Sequence, residues 1–251
     1  ITGNAGKRIC CGVIGLSKQS NTCKKQTRKH KKNILHSFKS GLIMTAPHGV
    51  NVSRTIKKKK IPHKKEYYLN SIVTRLHHQN PALSYIIWDK KTTQNKRLQD
   101  PNYLHKHQIS KNKWNIYLTK FKHHCKKKKK KPFLIDIHGK QKNNFIDIGF
   151  KSLLTHKSQF HLSSTQINTL ISFIKKSLRS LFHINVKLNK EFDGEWDKDA
   201  LTISQQAILL DIPAIQIEMP FSIRKKIVKD PELCKEFSKC LTNIYDKYLH
   251  I

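Results

Sequence analysis

Three short apolar runs break a largely polar chain: GLIMTAPHG at 41–49, PFLIDIHG at 132–139 and IPAIQIEMP at 212–220. Each has the length of a strand and is bounded by Gly, Pro or charge, so each reads as a buried strand of a mixed or parallel sheet. Helical spacing appears between and after them. From Thr165 to Phe182, the residues Ile167, Leu170, Ile171, Ile174, Leu178 and Leu181 recur at intervals of three and four, with Ser163, Ser164 or Thr165 available to cap the first turn. The closing segment opens on Asp230 and Pro231, a cap followed by the residue best suited to the first helical position, and Leu233, Phe237, Leu241 and Ile244 continue as a stripe. Strands separated by helices predict a layered α/β architecture. Residues 60–130 are too polar and irregular to divide into elements.

Charge then alters the picture. The 251 residues carry a formal net charge of +34, and no acidic residue precedes Glu66. Such a field attracts anions in a salt-sensitive way. Only seven of the 50 basic residues are arginine, whereas sequence-specific base readout leans on the planar arginine fork. The lysine tracts 57–60 and 126–131 therefore read as solvated, anion-attracting loops. The segment 1–38 reads as a basic N-terminal extension around a small apolar piece, ICCGVIGL, and 39–251 as a single domain large enough for a real core. Six cysteines without a CxxC pair or regular spacing exclude a zinc ribbon and a disulfide scaffold, and they fit free thiols in a reducing, intracellular compartment. No run reaches the length of a membrane span. The first residue is Ile, so the chain reads as a fragment or a processed form.

The three runs share a property that composition does not explain: each ends in a group able to bind a metal or move a proton. The first ends in His48, the second in Asp136 and His138, and the third in Glu218. In open α/β sheets the ligand crevice lies beyond the carboxyl ends of the strands, so these groups are expected to converge. Asp136 and His138, two apart in a strand, face the same way, as do Gln216 and Glu218. Only five acidic residues occur before Glu191, and burying one in FLIDIHG is costly without a partner. Two imidazoles with a carboxylate suit zinc, and a further Glu suits a general base, so the expected chemistry is hydrolysis of an amide or ester.

At these residues the chain resembles the N-formylglutamate amidohydrolase-like branch of the zinc carboxypeptidase superfamily. The similar pieces come in the family's order: APHG at 46–49, KRLQDPNY at 96–103, LIDIHGK followed by DIG at 147–149, and IQIEMPFSIR at 215–224. The resemblance implies a three-layer αβα fold around a central mixed, mostly parallel sheet with a single zinc ion. It implies His48 and His138 as metal ligands, with Asp136 supporting His138 or completing the shell, and Glu218 as the general base toward the attacking water. Arg224, or the segment from Arg97 to Asn102, would hold the carboxylate of a small or peptide substrate, to which an arginine fork is matched in shape and charge. The chain departs from the family where a ligating Glu is placed three or five residues after the first histidine. Those positions are Asn51 and Ser53, both poor zinc ligands. Asp136, Asp147 and water stay open as the third ligand. The segment EFDGEWDKD at 191–199 also lacks the Gly-rich character of the family's loop before its last motif.

Two functions follow as expectations. One is a zinc-dependent hydrolase of amide bonds, acting on N-formyl or N-acyl amino acids or on C-terminal peptide bonds. The other is a basic protein with a degenerate hydrolase fold that binds polyanions nonspecifically through its lysine tracts, an activity that would fall steeply with added salt.

Overall fold

How three distant apolar runs reach one place is explained by the computed structural model, which describes residues 33–89, 98–141, 144–195 and 200–251. Strands β1 (Ile34–Ser37) and β2 (Leu42–Ala46) precede a hairpin of β3 (Val52–Ile56) and β4 (Lys59–His63), followed by helix α1 (Leu69–Gln79) and β5 (Ser84–Trp88). Then come β6 (Leu104–His105), α2 (Lys106–Ile109), α3 (Lys113–Lys127), β7 (Phe133–Lys140), β8 (Phe145–Gly149), α4 (Lys151–Thr155) and α5 (Ser164–Phe182). The chain continues through β9 (Asn185–Leu188), β10 (Ala200–Leu201), α6 (Ile203–Leu209), β11 (Ala214–Pro220), α7 (Phe221–Lys229) and α8 (Pro231–Leu249).

Seven strands form one sheet in the order β1-β5-β2-β7-β11-β8-β9. The pairs β2–β5, β2–β7, β7–β11 and β8–β9 are parallel, while β1–β5 and β8–β11 are antiparallel. The sheet is therefore mixed and mostly parallel, and the three apolar runs are its adjacent central strands β2, β7 and β11. Phe133, Leu134 and Ile135 are fully buried, each contributing about 1.5–3 kcal/mol of apolar burial. Helices α1, α5, α7 and α8 pack on one another, with α1 and α7 also on the sheet; α6 packs on β7 and β11 together with α3 and α4. Two helical layers enclose the sheet, giving the three-layer αβα fold.

The helix signals operate as their chemistry requires. The Ser163 side chain accepts from the Gln166 N–H at the start of α5, and Gln166 returns the bond to the Ser163 N–H. Asp230 accepts from the Glu232 and Leu233 N–H groups at the start of α8. Such caps stabilise a helix by about 1 kcal/mol.

Three details differ from the sequence pattern. Strand β1 lies within the segment expected to be an extension, and Asn33–Ile251 make one compact unit. Lys126 and Lys127 complete α3, where cations favour the negative end of the helix dipole, and only Lys128–Lys131 lie beyond it. Lys57 and Lys58 form the two-residue turn of the β3–β4 hairpin, both with positive φ, 47° and 64°, and Lys59 and Lys60 belong to β4. ICCGVIGL and Cys10, Cys11 and Cys23 lie outside the described residues, as does Arg97. Cys125, Cys234 and Cys240 are buried free thiols. Among the described residues no helix is long and apolar enough to cross a membrane.

Candidate active site

Parallel pairing in register makes the site. Thr45 pairs with Asp136, Gln216 with Asp136 across the other edge of β7, and Glu218 with His138, so these side chains share one face of the sheet at its carboxyl edge. Gly139 turns the opposite way, toward α7, where an added Cβ would lie 2.3 Å from the Arg224 guanidinium carbon. Just beyond β2, Pro47 ends the ladder and its carbonyl accepts from the Trp88 indole N–H at 2.7 Å. Gly49 has no room for a side chain, because a Cβ there would fall 1.8 Å from the Asn70 side-chain oxygen. His48 is thereby fixed between two constrained neighbours.

The two predicted histidines meet. His48 Nδ1 lies 3.1 Å from His138 Nδ1, and both residues are only 2% exposed. Each turns its other nitrogen to a carboxylate: His48 Nε2 lies 3.0 Å from Asp100 Oδ1, and His138 Nε2 lies 2.8 Å from Asp136 Oδ2. Asp136 in turn accepts from the Thr45 hydroxyl at 2.5 Å. Arg54 Nε donates to Asp100 Oδ2 at 2.6 Å. A carboxylate on Nε2 fixes the proton there and leaves the Nδ1 lone pair for another partner, as in carboxylate–histidine–metal arrangements.

That partner region is completed by Glu66, which the sequence pattern did not single out. Its Oε1 lies 2.9 Å from His48 Nδ1, and its Oε2 lies 3.8 Å from His138 Nδ1 and accepts the Gly139 N–H at 2.7 Å. Asp136 is thus an orienting group behind His138, and the carboxylate beside the paired Nδ1 atoms is that of Glu66. Glu66 follows His48 by eighteen residues because the β3–β4 hairpin intervenes. A backbone bond from the Glu66 N–H to the His48 carbonyl, 2.8 Å, brings the chain back. Asp147 is also occupied elsewhere, accepting backbone N–H groups of Lys190, Glu191 and Phe192 at 3.2, 2.7 and 3.1 Å. Those bonds bring the acidic segment after Lys190 into the cleft, with Glu191, Phe192 and Gly194 on its wall.

Zinc bonds near 2.0–2.1 Å in a tetrahedral arrangement set neighbouring ligand atoms about 3.3 Å apart. The separations among His48, His138 and Glu66 are 3.1, 2.9 and 3.8 Å, on either side of that spacing. A second grouping shares two of these residues, since His48, His63 and Glu66 offer donor atoms that all lie within 4.8 Å of one another. The same carboxylates favour a protonated His48 imidazole. Burial pulls the His48 imidazole down, but Asp100 and Glu66 outweigh it and raise it to about 10. Burial would raise Asp100 and Glu66, yet the facing His48 holds both well below the usual carboxylate range. A cation held by His48 would therefore have to displace its proton. Zinc affinity is expected to rise about tenfold per pH unit between about pH 6 and 8, where metal-free His48 is protonated. Competition titrations against a chelator at several pH values measure this, and a flat profile would contradict it.

Glu218 is 4% exposed, and its Oε1 accepts from Gln216 Nε2 at 2.6 Å. Burial pushes its carboxyl up to about 7, against the opposing field of His138. It lines a cleft of about 1380 Å³ with His48, His138, Arg54 and Asn102. Asn102 is buried, and its side-chain oxygen accepts the Ile203 N–H at the start of α6 at 2.8 Å. Arg224 also lines the cleft, and its guanidinium, in a residue 2% exposed, donates to the carbonyls of Met219, Tyr67 and Lys140. It clamps α7 to β7 and to the segment before α1, and the missing side chain of Gly139 makes room for it. Lys140, also absent from the sequence-level candidates, lines the same cleft. It is 4% exposed, its Nζ lies 3.1 Å from the Phe145 ring centroid and 3.8 Å from Glu191 Oε2, and it has no hydrogen-bond partner. Burial lowers its amine.

No family model and no curated protein matches the chain. Three solved structures are similar in fold. A bacteriophage poly-gamma-glutamate hydrolase is 12% identical with a TM-score of 0.50, over 87% of this chain and 89% of that one. The Agrobacterium tumefaciens gene product Atu2144 is 9% identical with a TM-score of 0.48, over 88% and 94%. A metallo-carboxypeptidase from Burkholderia cenocepacia is 11% identical with a TM-score of 0.45, over 84% of this chain and 61% of that one. At such identities the likeness to the phage protein is one of fold alone, and none of these structures is named as an N-formylglutamate amidohydrolase.

Proposed function

We propose that the protein is a zinc-dependent hydrolase of amide bonds, acting on an N-acyl amino acid or a C-terminal peptide bond. The observation that carries this reading is the convergence of His48 Nδ1, His138 Nδ1 and Glu66 beside the buried carboxyl of Glu218. His48, His138 and Glu66 would hold the ion, which supplies Lewis-acid polarisation of a carbonyl and a lowered pKa of water. Asp100 and Asp136 keep the two imidazoles in the tautomer and orientation the site needs. Glu218, buried on the cleft wall with its carboxyl raised by that burial, takes a proton from the attacking water and returns it to the leaving nitrogen. Gln216 fixes one Glu218 oxygen by its hydrogen bond, leaving the other to meet substrate.

The substrate carboxylate is assigned to Lys140, whose buried amine lines the cleft without a hydrogen-bond partner, whereas Arg224 already donates to three carbonyls. The comparison proteins named as a hydrolase and a metallo-carboxypeptidase accord with amide chemistry on this fold. A panel of N-acyl amino acids and short peptides tests the proposal. Hydrolysis abolished by a chelator and restored by stoichiometric zinc is expected, and turnover indifferent to the chelator would overturn it.

A further inference from the structure

His63 has no part in the reaction just described, yet it stands beside two of the groups assigned to the ion, His48 and Glu66. Its Nε2 lies 3.3 Å from Glu66 Oε1, the oxygen that faces His48 Nδ1, and its ring centroid is 4.1 Å from that of His48. His48, His63 and Glu66 all present donor atoms within 4.8 Å of one another. His48 and His138 are 2% exposed, whereas the His63 side chain is 27% exposed, which places it on the solvent side of the site.

The element carrying His63 is attached differently from those carrying the other ligands. His48 and His138 follow or belong to central strands of the seven-stranded sheet, but His63 ends β4 of a separate two-stranded sheet. The β3 side of that hairpin is tied down by bonds from the Ser53 N–H to the Leu98 carbonyl, 2.8 Å, and from the Asp100 N–H to the Ser53 carbonyl, 2.9 Å. Strand β4 is the outer member, with Lys59, Lys60, Ile61 and Pro62 exposed. A two-stranded hairpin is marginal by itself, and two non-glycine residues in the left-handed region at its turn cost it further stability.

We infer that His63 is a fourth protein ligand, carried by the β3–β4 hairpin, that closes the cation site at rest and withdraws with the hairpin to open it. Sites closed by four protein ligands hold a metal structurally, whereas catalytic sites keep one position free. One ligand on a loosely held outer strand lets the same residues serve both states. The coordination itself stands on the residue positions, and only the gating role rests on the hydrolase reading.

The test uses the full chain, stripped of metal and titrated with cobalt(II), whose visible absorption reports its ligand set. His63→Ala is expected to weaken cobalt affinity at least about tenfold and to change the visible spectrum. His63→Cys is expected to recover affinity and to add a thiolate-to-cobalt charge-transfer band, which requires a sulfur–metal bond. Metal-free melting temperatures close to that of the wild type confirm that both variants fold. Unchanged affinity and spectrum in His63→Ala, with no charge-transfer band in His63→Cys, would overturn the inference. For the gate, hydrogen exchange at the β3–β4 amides is expected to slow on cobalt binding in the wild type and not in His63→Ala, and exchange unchanged by the metal in the wild type would overturn that part. If no version of the protein hydrolyses an amide, the proposed function fails while the cobalt measurements still decide whether His63 is a ligand.

Discussion

Glu218→Gln is expected to lower kcat/KM for amide hydrolysis by a factor on the order of 10²–10⁴ while zinc stays bound. The substitution keeps the volume and the bond to Gln216 but removes the ability to take a proton. Register pairing puts Glu218 beside His138 on the neighbouring strand, so the carboxyl belongs to the site without standing among the three ligand atoms. Burial sets it at about 7 in the metal-free protein, and the field of a bound cation draws it down from there. The acid limb of the wild-type pH profile should accordingly lie below about pH 7, with the deprotonated form active and rate lost as pH falls through it. Rates for the two proteins at matched zinc occupancy, measured across pH, check both statements. A variant retaining most of the wild-type rate would remove Glu218 from the proposed role.

Glu66→Ala is expected to have a comparably large effect on metal binding, weakening zinc by more than about 100-fold, beyond the 10–100-fold typical of losing an outer-shell partner. Asp136→Asn is expected to stay within that smaller range, because Asp136 touches the far nitrogen of His138 rather than the position between the two Nδ1 atoms. This comparison separates the ligand set expected from the sequence, His48, His138 and Asp136, from the proposed one, His48, His138 and Glu66. Chelator competition on both variants, with melting of the metal-free proteins as the check on folding, gives the ratio. Equal losses in the two variants would contradict the assignment of Glu66.

The strands and their polar ends were legible because the signals are local. GLIMTAPHG, PFLIDIHG and IPAIQIEMP are dense in apolar residues, end at Pro or Gly, and became β2, β7 and β11 at the centre of the sheet. The long helices were legible from periodicity and from caps at Ser163 and Asp230. Glu66 was not, because a hairpin of variable length separates it from His48 and a fixed spacing of three or five residues finds only Asn51 and Ser53. The remaining cue was its being the first acidic residue in a basic stretch. Asp100 was missed for a similar reason: it reaches His48 through a bridge between Ser53 and Gln99 that no local pattern encodes. Arg224 reads as a substrate fork, and only tertiary contacts show three of its donors engaged by carbonyls. The lysines at 57–60 and 126–131 are exposed, while Lys140, the buried one of the three lysines that line the cleft, follows the HG motif with no local signal of its own.

The central claim is that His48, His138 and Glu66 together hold one cation. Anomalous diffraction at the zinc edge from crystals of the full chain grown with zinc tests it most directly. A single peak about 2.1 Å from the Nδ1 atoms of His48 and His138 and beside a Glu66 oxygen is the predicted result. No peak at that position, or one held by other side chains, would contradict the account.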